Sequence, residues 1–390
     1  MTPAARIAAA ITVLDEILSG LPAEQALLRW SRASRFAGSG DRAALRDLVF
    51  GALRRRDSLA AIGGARTGRG LMIGHARASG LELARIFTGQ GHDPAVLTEA
   101  EAAHGVPELL TDNLPDDLPD WLRPAWHESL GDKADPVARA LTTRAPVWLR
   151  VNLAKSDPAG AMAALAADGI ATEAAAALES ALRVTANERA VARSAAYREG
   201  IVELQDLSPQ LACAALPLAE GDRVLDYCAG GGGKSLALAS RVPRAKVLAH
   251  DAAPARMADL PARADRAGVH IAIEGRPQGQ FDLVMADVPC SGSGTWRRTP
   301  HAKWRLTSAQ LREVIALQAQ ILDEVAAKVR PGGHLAYMTC SVLKGENQDQ
   351  VSAFLHRQPS FSLLHQQLWT PLDASDGFYL AVMKADAHRA

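Results

Sequence analysis

The sequence predicts an α/β protein: an open, doubly wound sheet in its second half, preceded by a small α/β module and an all-helical region. Three observations carry this reading. From about residue 201, short apolar runs ending in polar residues alternate with helical stretches. Residues 1–120 are rich in alanine, leucine and arginine, with apolar positions three and four apart and few strand signals. Residues 121–200 mix the two patterns. A chain of 390 residues exceeds one ordinary core and suits two or three domains.

The elements follow in order. In the opening stretch, Ile7, Ile11, Leu14 and Ile17 define one helical face. Asp15 and Glu16 interrupt its short apolar run, which makes it an amphipathic helix rather than a secretory leader. A second helix is expected in DRAALRDLVFGALRRR (41–56), with Leu45, Leu48, Val49 and Leu53 on one side, Asp41 as its cap and arginines at its end. DNLPDDLPDWLRP (112–124), with three prolines and four aspartates, reads as a linker. APVWLRVNL (145–153) and ALRVTA (181–186) read as strands, and PAGAMAALAADG (158–169) as a helix ended by glycine. The sheet's strands are expected in RVLDYCA (223–229), KVLAHD (246–251), HIAIEG (270–275), FDLVMAD (281–287) and HLAYMTCS (334–341). SAQLREVIALQAQILDEVAAKV (308–329) is a covering helix, and FSLLHQ (361–366) with GFYLAVMKA (377–385) forms a closing antiparallel pair. Ligands of such sheets sit beyond the carboxyl ends of the strands. Asp226, Asp251, Glu274, Asp287 and Cys340 should therefore gather on one rim.

Composition excludes several classes. Hydrophobic residues at 48% and charged residues at 22% describe a globular chain. A formal net charge of +0 rules out a global positive field and leaves room for a local basic groove. The four cysteines, Cys213, Cys228, Cys290 and Cys340, form no C-x-x-C pair. They suit neither a disulfide framework nor a zinc site, and point to a reducing, cytoplasmic setting. No run of about 18 apolar residues occurs, so no membrane span is expected.

DYCAGGGGKSLALA (226–239) sets four glycines, a lysine and a serine after a strand. A Walker A loop would need glycine at 228, where Cys228 stands. A dinucleotide fingerprint would need glycine at 235, where Ser235 stands. FDLVMAD resembles a Walker B strand and keeps a P-loop reading open. A turn without any ligand is a further alternative, against which stands the entropic cost of four consecutive glycines. A nucleoside without phosphates fits best. The glycines let the backbone approach it, and Asp251, ending the next strand, can accept both ribose hydroxyls. S-adenosylmethionine (SAM), an adenosine with a sulfonium and an amino-acid end, meets this description.

Cys290, in ADVPCSGSG (286–294), and Cys340, in MTCSV (338–342), end two strands on that same rim. A thiolate on a strand-end turn can attack a carbon electrophile, and Lys234 with the loop amides could lower its pKa. One reaction explains two thiols beside a methyl donor. Carbon 5 of a pyrimidine is a poor nucleophile until a thiolate adds to carbon 6. An acid near the ring nitrogen, here Asp287, supports the charge change, and a second thiolate helps release. The alternative is that both are small buried residues, which is the preferred reading of Cys213 and Cys228.

At these residues the sequence resembles the RNA 5-methylcytosine methyltransferases of the RsmB/Nop/Sun family. DYCAGGGGKS is similar to that family's D-x-C-A-A-P-G-G-K-T, ADVPCSGSGTWRRTPHAKW to its D-A-P-C-S-G-x-G-x-x-R-R-x-P-x-x-K-W, and YMTCSVLKGEN to its Y-x-T-C-S-x-x-x-x-E-N. QDLSPQ (205–210) and GFYLAVMK also fit. The likeness covers residues 201–390 and implies a class I, Rossmann-like SAM methyltransferase domain. It implies Cys340 as nucleophile and Cys290 in product release. The loop Cys228, Ala229, Gly230, Gly231, Gly232, Gly233 and Lys234, with Asp251, would bind SAM. Asp287 would serve the base or the cofactor amine, and Glu274 is the candidate near adenine. Gly230 and Gly231 depart from Ala-Pro, which predicts a looser loop, and Val288 replaces an alanine. Residues 1–120 resemble a NusB-like RNA-binding domain, mainly through DRAALRDLVFGALRRR. PVWLRVNL (146–153) resembles the family's segment before the catalytic domain, which implies an RRM-like module at 121–200.

RNA handling is expected from Arg297, Arg298, Lys303 and Arg305, with Trp296 and Trp304 between them, since basic residues hold phosphates and aromatic planes stack on bases. A solvated charged face with core tryptophans is the alternative. Arg54, Arg55 and Arg56 form a second basic stretch. A base reaching two thiols must leave its stack, so flipping or a single-stranded site is expected. The resemblance implies ribosomal RNA as substrate. A ribosome-assembly factor without turnover, and a methyltransferase acting on tRNA or protein, are the competing functions.

Overall fold

The computed structural model describes residues 1–104 and 116–388. Two compact units result. One holds Met1–Pro124, Asp132–Arg144 and Trp296–Leu306; the other holds Ala125–Gly131, Ala145–Thr295 and Thr307–Ala390.

The first unit is helical. Its leading helices are Pro3–Leu18, Ala23–Ala33, Ser39–Arg54, Arg56–Gly63 and Gly68–Ala78. The Thr2 side chain caps the first by accepting from Ala5 N, with Pro3 in the first turn. Ile7, Leu14, Leu45, Val49 and Leu53 are buried in one core with Leu71, Met72 and Phe87, while Ile11 and Ile17 pack partly buried at its edge. Asp41 is not the cap expected from sequence. It lies in the first turn of Ser39–Arg54, where its carboxylate accepts from Gly38 N, because the cap is Gly38, three residues earlier. The proline-rich stretch also differs from a plain linker. Residues 112–115 lie outside the described residues, but Asp117, Leu118 and Leu122 are buried, and the Asp117 carboxylate accepts from Asp57 N and Ser58 N. That carboxylate satisfies orphan donors at the start of Arg56–Gly63.

The second unit contains two sheets. Strands β1 (Val147–Val151), β2 (Ala171–Ala174), β3 (Ala181–Ala186) and β4 (Val202–Leu204) form an antiparallel sheet in the order β2-β3-β1-β4. The helix Pro158–Ala167 belongs with it and is capped by Asp157, whose side chain accepts from Gly160 N. β2 went unforeseen, and β4 lies beyond residue 200 yet pairs with β1.

The larger sheet contains β5 (Arg223–Asp226), β6 (Lys246–Ala249), β7 (Ile271–Ile273), β8 (Phe281–Asp287), β9 (Val329–Thr339), β10 (Phe361–Trp369) and β11 (Phe378–Ala385). Their order is β10-β11-β9-β8-β5-β6-β7, parallel from β9 to β7 and antiparallel at β11 and β10. The parallel strands read as continuous apolar runs because both faces are covered: Val224, Leu225, Leu283, Val284, Met285 and Ala286 are all buried. Strand order reverses between β5 and β8, which creates a crevice at their carboxyl ends. The helix Ser308–Ala326 opens with a capping box between Thr307 and Gln310. Among the described residues no helix is long and apolar enough to cross a membrane.

Candidate active site

The crevice is built first by the loop after β5. The chain stays between the strand ends: Ala229 N donates to His250 O and Gly230 N donates to Asp251 Oδ2, both at 2.8 Å. Gly230 (φ +53°) and Gly232 (φ +76°) occupy the left-handed region that favours glycine. A Cβ on Gly232 would stand 2.3 Å from Leu260 Cδ1, so a side chain there would displace Leu260 as well as strain the dihedral. Two arginines reach the loop's carbonyls. Arg263 Nη1 donates to the Gly231 carbonyl, and Arg150 Nη1 donates to the Gly233 carbonyl at 2.9 Å.

Four acidic groups were expected at this rim. Asp251 is buried; it accepts from Gly230 N, from Ala253 N at 2.9 Å and from Arg256 Nη1 at 3.0 Å. Asp287 is engaged by the Lys234 ammonium. Burial pulls the Lys234 pKa down, and the Asp287 carboxylate more than reverses that, so the net direction is up. Glu274 is exposed, and its contributions to the rim are backbone ones, including a carbonyl against His250 Nδ1 at 3.1 Å. Asp226, 1% exposed, accepts from Ser235 Oγ at 2.6 Å through Oδ2, while Oδ1 has no partner among the described residues. Burial pushes its carboxyl up to about 7. An orphaned buried acceptor at the switch point fits a ligand that brings a donor or a positive charge. Cys228 is half-buried; its thiol is pushed up to about 12 by burial and then by the Asp226, Asp287 and Asp251 carboxylates.

The two thiols meet. Cys290 Sγ and Cys340 Sγ lie 3.2 Å apart, and both cysteines are free. Their loops are locked by a residue that was quoted in the sequence motif without a role. Glu346 is 0% exposed. Its carboxylate accepts from Ser291 N (2.7 Å), Ser291 Oγ (2.5 Å), Ser341 Oγ (2.5 Å) and Gln318 Nε2 (3.0 Å). One carboxylate thus fastens the residue after Cys290 to the residue after Cys340. Gln318, on Ser308–Ala326, also donates to Pro289 O at 3.0 Å, and Asn347 bridges Thr339 Oγ1 and Ser341 O. A buried glutamine inside the apolar run VIALQAQIL was the available sequence signal. The Cys290 thiol is held well above its ordinary pKa, first by its hydrogen bond with Cys340, then by burial and the charges of Cys340 and Glu346. This corrects the expectation that Lys234 activates it, since Lys234 is spent on Asp287.

The basic, tryptophan-containing stretch is different from a solvent-facing patch. In the helical unit Lys303 is 2% exposed and Arg297 is 5% exposed, with Trp296 fully buried and Arg298 exposed. Lys303 Nζ donates to Arg54 O at 3.2 Å, Arg54 Nε donates to Arg297 O at 2.6 Å, and Trp304 Nε1 donates to Leu53 O at 2.7 Å. The Arg56 guanidinium lies 3.5 Å above the Trp304 ring. Burial pushes the Lys303 ammonium down to about 8. Arg297 and Lys303 therefore serve packing here, which leaves Arg298 as the exposed member of the predicted phosphate-binding trio.

Sequence comparison matches residues 213–384 to the 16S rRNA methyltransferase RsmB/F family and residues 118–191 to the RsmF/B-like ferredoxin-like domain. Over those residues the chain belongs to the RsmB/F family. It is 34% identical over 281 residues to ribosomal RNA small subunit methyltransferase B of Vibrio cholerae, covering 68% of this chain and 64% of that protein. It is 36% identical over 253 residues to the protein of the same name from Xanthomonas campestris, covering 61% and 57%. The chain thus spans less than two thirds of the length of these relatives. The crystal structure of PH0851 superposes with a TM-score of 0.75 at 21% identity, covering 98% of this chain and 99% of that one. The fold of the RsmB/F methyltransferase domain here is Rossmann-like, as the strand order requires.

Proposed function

We propose that the chain is a SAM-dependent RNA cytosine-5 methyltransferase acting on small-subunit ribosomal RNA. The observation that carries the proposal is the pair of free thiols, 3.2 Å apart, following β8 and β9 beside the glycine loop. The curated relatives support the substrate by their name. SAM, when bound, supplies an electrophilic methyl group. The unpartnered Asp226 Oδ1, the Asp251 carboxylate and the backbone of Cys228–Lys234 are the groups suited to hold it.

The thiols divide the work. Cys340, as thiolate, adds to carbon 6 of the cytosine, and the displaced electron pair makes carbon 5 nucleophilic enough to take the methyl group. Asp287, held by Lys234 at the end of β8, is the polar group that would face the ring as its electron density rises. Two of the causes that keep Cys290 protonated are its hydrogen bond to Cys340 and the charge of Cys340. Both vanish once the Cys340 sulfur is bonded to carbon, which lowers the cost of ionising Cys290 against the burial and the Glu346 charge that remain. Its thiolate then takes the carbon 5 proton, the electron pair restores the 5,6 double bond, and Cys340 leaves as thiolate. The test is transfer of a labelled methyl group from SAM to purified small-subunit rRNA and to tRNA, followed by nucleoside analysis. Label in 5-methylcytidine from the rRNA is the expected result. Label in tRNA alone would reassign the substrate, and SAM binding without transfer to any RNA, precursors included, would favour an assembly factor.

A further inference from the structure

The glycine loop has two glycines, Gly230 and Gly231, where the family pattern has alanine and proline. Two extra glycines add conformations that the loop must lose when it grips a ligand. In the structure that freedom is removed from outside the loop. The Gly231 carbonyl accepts from Arg263, which stands on the helix Leu260–Ala267. The Gly233 carbonyl accepts from Arg150, which stands on β1 of the four-stranded sheet.

Both arginines are anchored by the same sheet. Arg263 Nη2 pairs with Glu203 Oε1 at 3.4 Å, and Arg266 Nη2 pairs with Glu203 Oε2 at 2.7 Å. Glu203, buried on β4, lies directly opposite Arg150 on β1, so the two side chains leave the sheet from one face. A buried carboxylate shared by two guanidinium groups fixes their directions. Arg263 is also the sole neighbour within 4 Å of a Cβ built on Gly231, at 3.1 Å from Nη1. The space that a residue with a side chain would fill at this position is occupied by the arginine.

We infer that Arg263, held by Glu203 of the small sheet, is a positioning residue for the cofactor loop, replacing with a side-chain clamp the stiffness that proline supplies in the family pattern. The inference rests on the methyltransferase reading for the identity of the ligand, though the clamp itself is a property of the chain alone. Asn152 reinforces the same junction, donating from Nδ2 to Ala267 O at 2.8 Å.

The full chain is compared as wild type, Arg263→Ala, Glu203→Gln and the double variant Arg263→Ala with Gly231→Ala. SAM affinity is measured by calorimetry, kcat at saturating SAM by methyl transfer, and loop mobility by hydrogen exchange of a peptide covering 228–234 without ligand. Arg263→Ala should bind SAM about tenfold more weakly, as loss of one charge-assisted hydrogen bond implies, with kcat at saturation nearly unchanged. Its loop peptide should exchange faster. Gly231→Ala should recover part of the lost affinity in the Arg263→Ala background, because it stiffens the loop and no longer meets the arginine. Glu203→Gln should show a smaller effect in the same direction, and it serves if Arg263→Ala fails to fold. Wild-type affinity and exchange in the arginine variant, or a further loss on adding Gly231→Ala, would overturn the inference. A wild type that binds no SAM would sink the methyltransferase reading, while the exchange comparison would still decide the clamp.

Discussion

Glu346→Ala is the substitution whose consequence the structure fixes most closely. The glutamate is fully buried and receives four hydrogen bonds from three residues. Removing the carboxylate does not strand all four donors. The hydroxyls of Ser291 and Ser341 lie 3.3 Å apart, and Ser293 Oγ lies 2.8 Å from Ser341 Oγ, so they can re-pair. One Gln318 hydrogen, on a fully buried residue, loses its acceptor, and the partly buried Ser291 N loses its bond to the carboxylate. One stranded buried donor at about 1–3 kcal/mol, with about 1 kcal/mol for the partly buried bond, places the loss at about 3 kcal/mol, a large part of a typical folding stability. Glu346→Gln keeps the shape and an acceptor, and the hydroxyls can turn to accept from its amide, so about 1–2 kcal/mol is expected. Urea unfolding of the full chain reads both values through the shift in midpoint. Because Ser291 and Ser341 adjoin the two thiols, Glu346→Ala should also abolish methyl transfer while SAM binding survives at low urea. A stability change below about 1 kcal/mol, or unaltered methyl transfer, would refute the claim that this carboxylate holds the thiols together.

Three further outcomes follow from charged groups. Lys303 has its pKa lowered from 10.5 to about 8, so above pH 8 the unfolded chain binds more protons than the folded one and stability rises with pH up to 10.5. The window corresponds to about 3 kcal/mol; Lys303→Met should remove the rise and stabilise the protein at pH 7, read by denaturation at several pH values. Asp226, raised to about 7, ionises as pH rises through that value, and the ionised form suits a cationic ligand. SAM affinity should therefore climb with pH to about 7 and level off above it, and Asp226→Asn should flatten the profile in calorimetry. Arg298→Ala should weaken RNA binding evenly across sequences and lower the salt slope by about one, in titrations at several salt concentrations.

The large sheet was legible because parallel strands covered on both faces read as continuous apolar runs, as LVMA does within FDLVMAD. β2 was not, because ATEA is short, largely exposed and stabilised by its pairing with β3 rather than by its own pattern. The thiols were legible from P-C and T-C-S at two strand ends. Glu346 and Gln318 were not, since their partners come from segments 28 and 55 residues away and local spacing says nothing about such closure. The basic stretch around Lys303 misled for a related reason. A run of arginine, lysine and tryptophan has one appearance in sequence whether it faces solvent or is folded against Leu53 and Arg54. The contacts made to the four-glycine loop were not legible because they come from Arg150 and Arg263, far from the loop in sequence.

The most direct test of covalent pyrimidine chemistry is adduct trapping. Wild type, Cys290→Ala and Cys340→Ala are incubated with SAM and cellular RNA and run on denaturing gels. Cys290→Ala should accumulate a slow-migrating, nuclease-sensitive protein–RNA species, because release needs the second thiol, and Cys340→Ala should form none and transfer no methyl group. An adduct in Cys340→Ala instead would reverse the two roles. No adduct in any variant, together with methyl transfer that survives loss of Cys340, would contradict the mechanism.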